Sequence, residues 1–237
     1  MRLRQRGKES KDSRGYKDYK EDNMARFRKI ISLALVAALV VVVLGGCSGD
    51  KGKKVLVAYF SYADNTVIEE TDDMDIDALT AASQISPGNA GLIAEWIHEG
   101  VGGDLFSIQV QNPYPADFGE CAERVTEELE SNARPALKNK VSKIDDYDTI
   151  ILGYSIWNNA CPMAIYTFIE THDLSGKTIA IFSAFGGGGM EDSVSDIKKA
   201  LPDSCTVLES TFGASREGFG DAQKNTEAWV KELGIKK

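Results

Sequence analysis

Three short segments of this 237-residue chain carry residue types suited to holding a flat, phosphorylated ring. Gly88-Asn89 precedes a helical pattern, and the free amides and positive dipole end of such a helix attract phosphate without a lysine. Trp157 follows an apolar run and could stack on a planar heterocycle. Gly186 to Gly189 have no side chains, so their backbone can approach a ring closely. Together these segments predict a site for a flat mononucleotide.

Each segment also has an ordinary structural interpretation. Trp157 could be a core side chain that caps a strand, Gly186–Gly189 a flexible turn, and Gly88-Asn89 a plain helix start. Other nucleotide motifs do not compete, because Gly176-Lys177-Thr178 lacks the upstream P-loop glycine and Gly186-x-Gly188 lacks the third glycine of the dinucleotide fingerprint. No G-x-S-x-G pattern occurs, which argues against a serine hydrolase.

The elements that must position these residues are strands alternating with helices. Five apolar runs predict strands buried on both faces, at Lys54–Ser61, Leu105–Val110, Thr149–Gly153, Thr178–Ser183 and Cys205–Glu209. Helical periodicity follows each run, at Ala90–Gly100, Phe118–Glu130, Met163–Glu170, Met190–Leu201 and Asp221–Leu233. This alternation predicts an α/β fold with an open, doubly wound sheet. Ligands bind outside the carboxyl ends of such strands, where the three segments converge.

Residues 62–87 form a long acidic connection between the first strand and the first helix, without any basic residue. Its spacing Asp73-x-Asp75-x-Asp77 resembles the start of a calcium loop. Ala78 and Gln84, however, stand where that loop needs glycine and glutamate. We therefore expect a solvated excursion and no metal site.

The charge of the chain is divided unevenly. Residues 1–46 hold 11 Lys/Arg and 5 Asp/Glu, whereas residues 47–237 hold 16 and 31, giving net charges of +6 and −15. An acidic domain argues against nucleic-acid binding, because phosphate neutralisation needs a basic surface. The same charge should steer association toward cationic partners.

The N-terminal segment is similar to a bacterial secretion signal. Basic residues near Arg26 precede an apolar run from Ile30 to Leu44, which ends in Leu44-Gly45-Gly46-Cys47. That tetrapeptide resembles a lipobox, which implies cleavage before Cys47 and a lipid on its sulfur. The alternative is an uncleaved transmembrane helix, but the run supplies fewer than the ~20 apolar residues that a span needs.

These features predict three parts of the chain. Residues 1–46 are an extension and signal peptide that is removed, residues 47–53 are a lipid anchor and linker, and residues 54–237 are one domain. The predicted location is the extracytoplasmic face of a bacterial membrane. Cys121, Cys161 and Cys205 are an odd number and form no C-x-x-C, so we interpret them as small apolar residues.

Residues 54–237 resemble the flavodoxin family. The resemblance rests on Val55–Ser61 with its interrupted phosphate loop, on Tyr147–Trp157, and on Leu174–Thr178 leading to the glycine loop. It implies a flavodoxin-like sheet of five parallel strands in the order 2-1-3-4-5, with helices on both faces. It also implies noncovalently bound FMN as cofactor.

The resemblance further implies the residues of the cofactor site. Those around the phosphate would be Ser61, Gly88, Asn89 and Ala90. Those beside the isoalloxazine would be Ser155, Ile156, Trp157 and Asn158 on one side, and Ala184, Phe185, Gly186, Gly187 and Gly188 on the other. Family phosphate loops usually end in Gly-Asn-Thr, whereas this chain has Ala90. A hydrogen bond to a charged group is worth ~1.5–3 kcal/mol, so the missing hydroxyl should weaken FMN binding.

The expected function is electron transfer by an FMN protein at the membrane surface. One-electron transfer requires no acid or base, so we predict no catalytic residue. Two alternatives remain: an NAD(P)H-dependent quinone reductase with the same cofactor, and a surface binding module that has kept the fold but lost FMN. In the second alternative, the acidic connection at residues 62–87 would engage the partner.

Overall fold

The computed structural model describes residues 54–68 and 83–235. The predicted signal peptide, Cys47 and the Asp73–Asp77 pattern lie outside these residues. The described strands are β1 (Val55–Phe60), β2 (Asp104–Ser107), β3 (Thr149–Ser155), β4 (Thr178–Phe185), β5 (Thr206–Val207) and β6 (Phe212–Ser215). Every residue of β1 and β3 is buried, as expected for apolar runs between two helical layers.

All strand pairs are parallel, and the strands are arranged in the order β2-β1-β3-β4-β5. This arrangement confirms the predicted α/β fold and its strand order. The order reverses direction between β1 and β3, because the chain leaves β1 toward β2 and returns to the other side of β1 as β3. The carboxyl ends of β1 and β3 therefore form the topological switch point of the sheet.

The fifth strand is divided into two pieces. Val207 pairs with Ile179 of β4, and the next described pair joins Phe212 to Phe182. The chain advances five residues from Val207 to Phe212, whereas the paired residues of β4 are only three positions apart. The additional residues bulge away from the sheet between β5 and β6. The sequence predicts only the first piece, because Phe212–Ser215 is short and contains Gly213.

The second strand is shorter than the predicted Leu105–Val110. β2 ends at Ser107, and the N–H of Val110 donates to the side chain of Asn65, 2.8 Å away, instead of to a strand backbone. A side chain that is distant in sequence therefore ends the strand.

Among residues 54–68 and 83–235, five helices connect the strands. They are α1 (Gly88–Val101), α2 (Phe118–Glu130), α3 (Met163–Thr171), α4 (Glu191–Ala200) and α5 (Ala222–Leu233), close to the predicted ranges. Asp117 caps α2 by accepting a hydrogen bond from the N–H of Glu120. Among the described residues, no helix is long and apolar enough to cross a bilayer, and no group of His, Cys, Asp or Glu could hold a metal ion.

The two faces of the sheet carry different helices. One core cluster joins Phe60 and Tyr154 to residues of α2, α3 and α4. On the opposite face α1 packs against α5, and a Cβ on Gly91 of α1 would lie 3.4 Å from Cε2 of Tyr59. Strand side chains alternate between faces. Ser61 and Ser155, two positions beyond Tyr59 and Gly153, therefore point to the face covered by α1.

Candidate functional site

The switch point brings together two serines at the ends of neighbouring strands. Phe60 pairs with Tyr154, so Ser61 and Ser155 follow at the same level of the sheet. Because side chains alternate between the two faces of a strand, both serines lie on the face covered by α1. The N-terminus of α1 directly follows the acidic connection. Ser61 is fully buried, and its Oγ accepts a hydrogen bond of 3.1 Å from the N–H of Asp64.

Asn65 holds the loop that follows β1. Its Nδ2 donates to the carbonyl oxygens of Ser61 at 2.9 Å and Ile108 at 3.0 Å, while its Oδ1 accepts from the N–H of Val110. The residue is 2% exposed. These three bonds tie the end of β1 to the segment after β2. Asn65 thus fixes the position of Ser61, a role that nothing in its sequence context indicates.

The N-terminus of α1 is shaped by residues from both ends of the connection. Gly88 has a φ of +69°, and a Cβ there would lie 3.0 Å from the carbonyl oxygen of Ser83 and 3.2 Å from Cβ of Ala63. The N–H of Asn89 donates to Oγ of Ser83 at 2.7 Å. Ala90 is buried and contributes only a methyl group. The N–H of Gly88 donates to the carbonyl oxygen of Ile85 at 2.8 Å, so the end of the connection satisfies the first two amides of α1 in this structure.

Ser155 is the side chain at this site whose bonding is incomplete. It is 8% exposed, and its Oγ has no hydrogen-bond partner among the described residues. A buried hydroxyl without a partner costs about 1–3 kcal/mol. Ser155 lies beside Ala184 in the register of β3 with β4. A ligand oxygen at the switch point would supply the missing partner, so the site fits a polar group here.

The loop after β3 folds as a tight hairpin. Trp157 and Ala160 exchange two backbone hydrogen bonds, of 3.0 and 2.8 Å. Between them Asn158 and Asn159 have φ values of +45° and +59°, as a type I′ turn requires, and asparagine tolerates this conformation. The Nδ2 of Asn158 donates to Oγ1 of Thr126 on α2 at 3.1 Å. The hairpin is therefore tied to α2.

Trp157 lies half-buried within a group of aromatic rings. Its ring centroid is 4.7 Å from that of Tyr114 and 5.2 Å from those of Phe60 and Tyr62, with edge-to-face geometry in each case. Burial raises the pKa of Tyr62 to about 12 and raises that of Tyr114 as well, so both phenols are uncharged at neutral pH. Such packing fixes the indole at the carboxyl edge of the sheet and leaves part of it accessible.

The glycine loop after β4 faces this hairpin. Gly188 has a φ of +82°, and a Cβ there would lie 3.1 Å from Oδ1 of Asn159. Cβ atoms on Gly186 or Gly187 would meet nothing within 4 Å. Phe185 precedes them at the end of β4 and accepts a hydrogen bond from the N–H of Arg216. Open space thus lies beside the glycines.

The structure brings most of the predicted site residues to one edge of the sheet. Ser61, Gly88, Asn89 and Ala90 border the α1 N-terminus, whereas Ser155 to Asn158 and Ala184 to Gly188 border the two facing loops. The amide of Asn158 is engaged with α2, away from the glycine loop. Sequence reasoning missed Ser83 and Asn159. For Asn159 the Asn-Asn pair, typical of a type I′ turn, was an available signal.

Cys121 and Cys161 are buried, and Cys205 is partly exposed. Burial raises the pKa of the Cys121 thiol and raises that of Cys161 well above its ordinary value. Both groups are therefore protonated thiols, poor nucleophiles and poor metal ligands. This agrees with their interpretation as small apolar residues.

A family model described as flavodoxin matches residues 77–230. A protein from Bacteroides eggerthii, inferred to be a flavoprotein, is 31% identical and has a TM-score of 0.54; the match covers 78% of this chain and 100% of that one. A similar protein from Bacteroides uniformis is 27% identical, with a TM-score of 0.58 and coverages of 76% and 99%.

A third solved structure is a flavoprotein from Lactobacillus acidophilus in complex with FMN. It is 17% identical with a TM-score of 0.51, covering 75% of this chain and 99% of that one, and at this identity it shows the shared fold alone. No curated protein matches the chain at a significant level.

Proposed function

This chain belongs to the flavodoxin family, and we propose from that membership that it binds FMN noncovalently and transfers electrons while anchored to the outer face of a bacterial membrane. The family and its FMN-bound structural relative support FMN, which is the cofactor expected from the sequence. The partner that gives or takes the electrons is a separate question from the cofactor.

The observation that carries the proposal is the buried hydroxyl of Ser155, which has no hydrogen-bond partner in the part of the chain that the structure describes. It lies at the switch point of a doubly wound sheet, on the same face as the first amides of α1. Phosphate binds at such helix N-termini through N–H groups and the helix dipole. Ser61 and Ser155 would hold the phosphate group of FMN there, which differs for Ser155 from the position beside the ring that the family resemblance implies. The N–H groups of Gly88 and Asn89 already donate to the carbonyl oxygen of Ile85 and to Oγ of Ser83, so these residues would act through the helix dipole, and Ala90 would contribute its backbone only.

The flavin ring would lie between the two facing loops. Ile156, Trp157 and Asn158 would border one side of the isoalloxazine, and Ala184 to Gly188 the other. Bound FMN supplies one- or two-electron redox chemistry. The chain positions the ring, and the aromatic group around Trp157 excludes water from one edge. No titratable side chain is needed for electron transfer.

The decisive experiment is the visible absorption spectrum of the purified protein, recorded before and after addition of excess FMN and removal of the unbound fraction. We expect a flavin band retained at about one FMN per chain. A folded protein that retains no flavin at saturating FMN would overturn the proposal. That result would favour the alternative of a surface binding module that has lost its cofactor.

A second measurement separates an electron carrier from an oxidoreductase. The FMN-loaded protein is mixed with NADH or NADPH and a soluble quinone, and nicotinamide oxidation is followed. We expect no turnover above the rate of free FMN. Rapid oxidation would instead support the quinone reductase alternative.

The membrane anchor rests on the sequence around Cys47. The proposed state is a chain that begins at Cys47 and carries a lipid on its sulfur, which would tether the domain without spanning the bilayer. Intact-mass measurement of protein extracted from bacterial membranes tests this. A mass that includes residues 1–46 and no lipid would contradict cleavage and favour the uncleaved helix.

A further inference from the structure

The acidic connection contributes a hydroxyl group to the proposed phosphate site. Ser83 lies near the far end of this connection, and its Oγ accepts a hydrogen bond of 2.7 Å from the N–H of Asn89. Asn89 is the second residue of α1, so Ser83 lies against the first turn of the helix that would face the phosphate. This role for Ser83 rests on the proposed binding of FMN.

The backbone around Ser83 places its hydroxyl at the helix. Ser83 has a φ of +60° and Gly88 a φ of +69°. A Cβ at position 88 would lie 3.1 Å from Oγ of Ser83 and 3.0 Å from its carbonyl oxygen. Glycine at this position therefore permits the close approach of Ser83 to the first turn of α1.

The helix start itself supplies no hydroxyl. Pro87 has neither an N–H nor a polar side chain, Gly88 has no side chain, and Ala90 has a buried methyl group. Independently, Ser155 presents a buried hydroxyl on the same face of the sheet, and this hydroxyl has no hydrogen-bond partner among residues 54–68 and 83–235. The site therefore offers hydroxyl groups from separate segments of the chain.

We propose that Ser83 is a ligand of the FMN phosphate and takes the place of the hydroxyl that is absent at Ala90. In the free protein its Oγ satisfies the amide of Asn89 through a lone pair, which leaves its own O–H able to donate. When the phosphate enters, that O–H donates to a phosphate oxygen. The connection at residues 62–87 is thus part of the cofactor site through its C-terminal end.

The test is the dissociation constant of FMN and of riboflavin, measured by quenching of flavin fluorescence with the full chain. Riboflavin lacks the phosphate, so it reports binding of the ring alone. For Ser83→Ala we expect FMN binding to weaken by roughly ten- to a hundredfold, because a hydrogen bond to a charged group is lost, with riboflavin binding unchanged. Ser83→Gly, which suits the positive φ, should behave in the same way.

Ser86→Ala is the matched control. Ser86 lies in the same part of the connection, and its exposed hydroxyl donates to Oδ1 of Asp64. We expect this variant to bind both flavins like the original protein. If both Ser83 variants keep the original FMN affinity, Ser83 is only a helix cap and the inference is wrong. If the unaltered protein binds neither flavin, the proposed function itself fails, which is a different outcome.

Discussion

The hydroxyl of Ser155 links the stability of the free protein to its ligand. It is buried on the face of the sheet that α1 covers and has no hydrogen-bond partner within the described residues, whereas Ser183 is buried on the opposite face and contacts Sδ of Met190. A polar group left unsatisfied in a folded protein commonly marks a site where function outweighs stability. Ser155 and Ser183 therefore form a natural pair for comparison.

Replacing Ser155 should have opposite effects on stability and on binding. We expect Ser155→Ala to raise the free energy of unfolding of the FMN-free protein by about 1 kcal/mol, since the unpartnered hydroxyl is removed. The same variant should bind FMN at least tenfold more weakly, because a hydrogen bond to a charged group is worth ~1.5–3 kcal/mol. Chemical denaturation and flavin fluorescence measure the two effects. Ser183→Ala is the control and should leave FMN affinity unchanged; equal affinity in Ser155→Ala would contradict the assigned role.

The loops at the carboxyl edge depend on backbone conformations that few residues adopt. Gly188 combines a φ of +82° with a close approach to Asn159, whereas Gly186 has open space around it and is not in the left-handed region. The two glycines belong to one loop, but only at position 188 do the backbone conformation and the neighbouring side chain disfavour a Cβ atom.

Alanine substitutions at positions 188 and 186 should therefore differ in their effect on the free energy of unfolding. Gly188→Ala is expected to lower the free energy of unfolding by about 1–2 kcal/mol, because a left-handed conformation is costly for a residue with a Cβ. Gly186→Ala should change it by less than about 0.5 kcal/mol, as for other surface substitutions. Urea denaturation of the FMN-free proteins measures both values. Equal losses in the two variants would show that the conformation of Gly188 is not the determining factor.

His172 joins the end of α3 to the segment before β3 and makes that junction sensitive to pH. Its Nε2 accepts from the N–H of Val141 at 3.0 Å, and its Nδ1 lies 2.8 Å from the carbonyl oxygen of Phe168. Burial, with a smaller contribution from Lys140, lowers the pKa of this imidazole, which is neutral in the folded protein. The unfolded chain therefore takes up a proton at a higher pH than the folded one.

This difference predicts a loss of stability on the acid side. As pH falls below about 6.5, the ordinary pKa of histidine, the unfolded state binds a proton that the folded state does not yet bind. Stability then falls by at most about 1.4 kcal/mol per pH unit, until the pH passes the lowered pKa of the folded protein. His172→Gln removes the titration but can still accept and donate. Unfolding free energies at pH 7.5 to 5.5 should decline more steeply for the original protein; parallel curves would refute the prediction.

The net charge of the domain acts on every partner that approaches it. Residues 47–237 carry a formal charge of −15, so the long-range potential should favour cationic partners. Salt screens such interactions over about 8 Å at physiological ionic strength.

Electron transfer to small acceptors of opposite charge tests this steering. We expect the reduced, FMN-loaded protein to reduce hexaammineruthenium(III), a cation, more slowly as salt rises from 10 to 300 mM, by roughly tenfold. Ferricyanide, an anion, should react faster over the same range. Stopped-flow absorbance measures both rates. If both acceptors responded to salt in the same direction, net charge would not describe the potential at the flavin edge.

Local physical chemistry was sufficient to predict an α/β fold of parallel strands and the sheet edge at which the loops converge, whereas the strand order came from the resemblance to the flavodoxin family. Apolar runs such as Val55–Phe60 must be buried on both faces, and the helical periodicity between them requires parallel strands joined by crossovers. Trp157 and the glycines at 186–189 could be placed at the carboxyl edge because each directly follows a strand. These features depend on neighbours along the chain, which the sequence displays.

The tertiary structure decided what depends on residues far apart in sequence. Asn65 ends β2 through Val110, 45 positions away, and β6 forms only because β4 offers it a free edge. Ser83 reaches the amide of Asn89 because two residues with positive φ bend the connection back on itself. Likewise, only the folded structure shows that the hydroxyl of Ser155 has no hydrogen-bond partner among the described residues. Whether two groups form a hydrogen bond depends on their distance in the folded chain, and local sequence patterns do not show that distance.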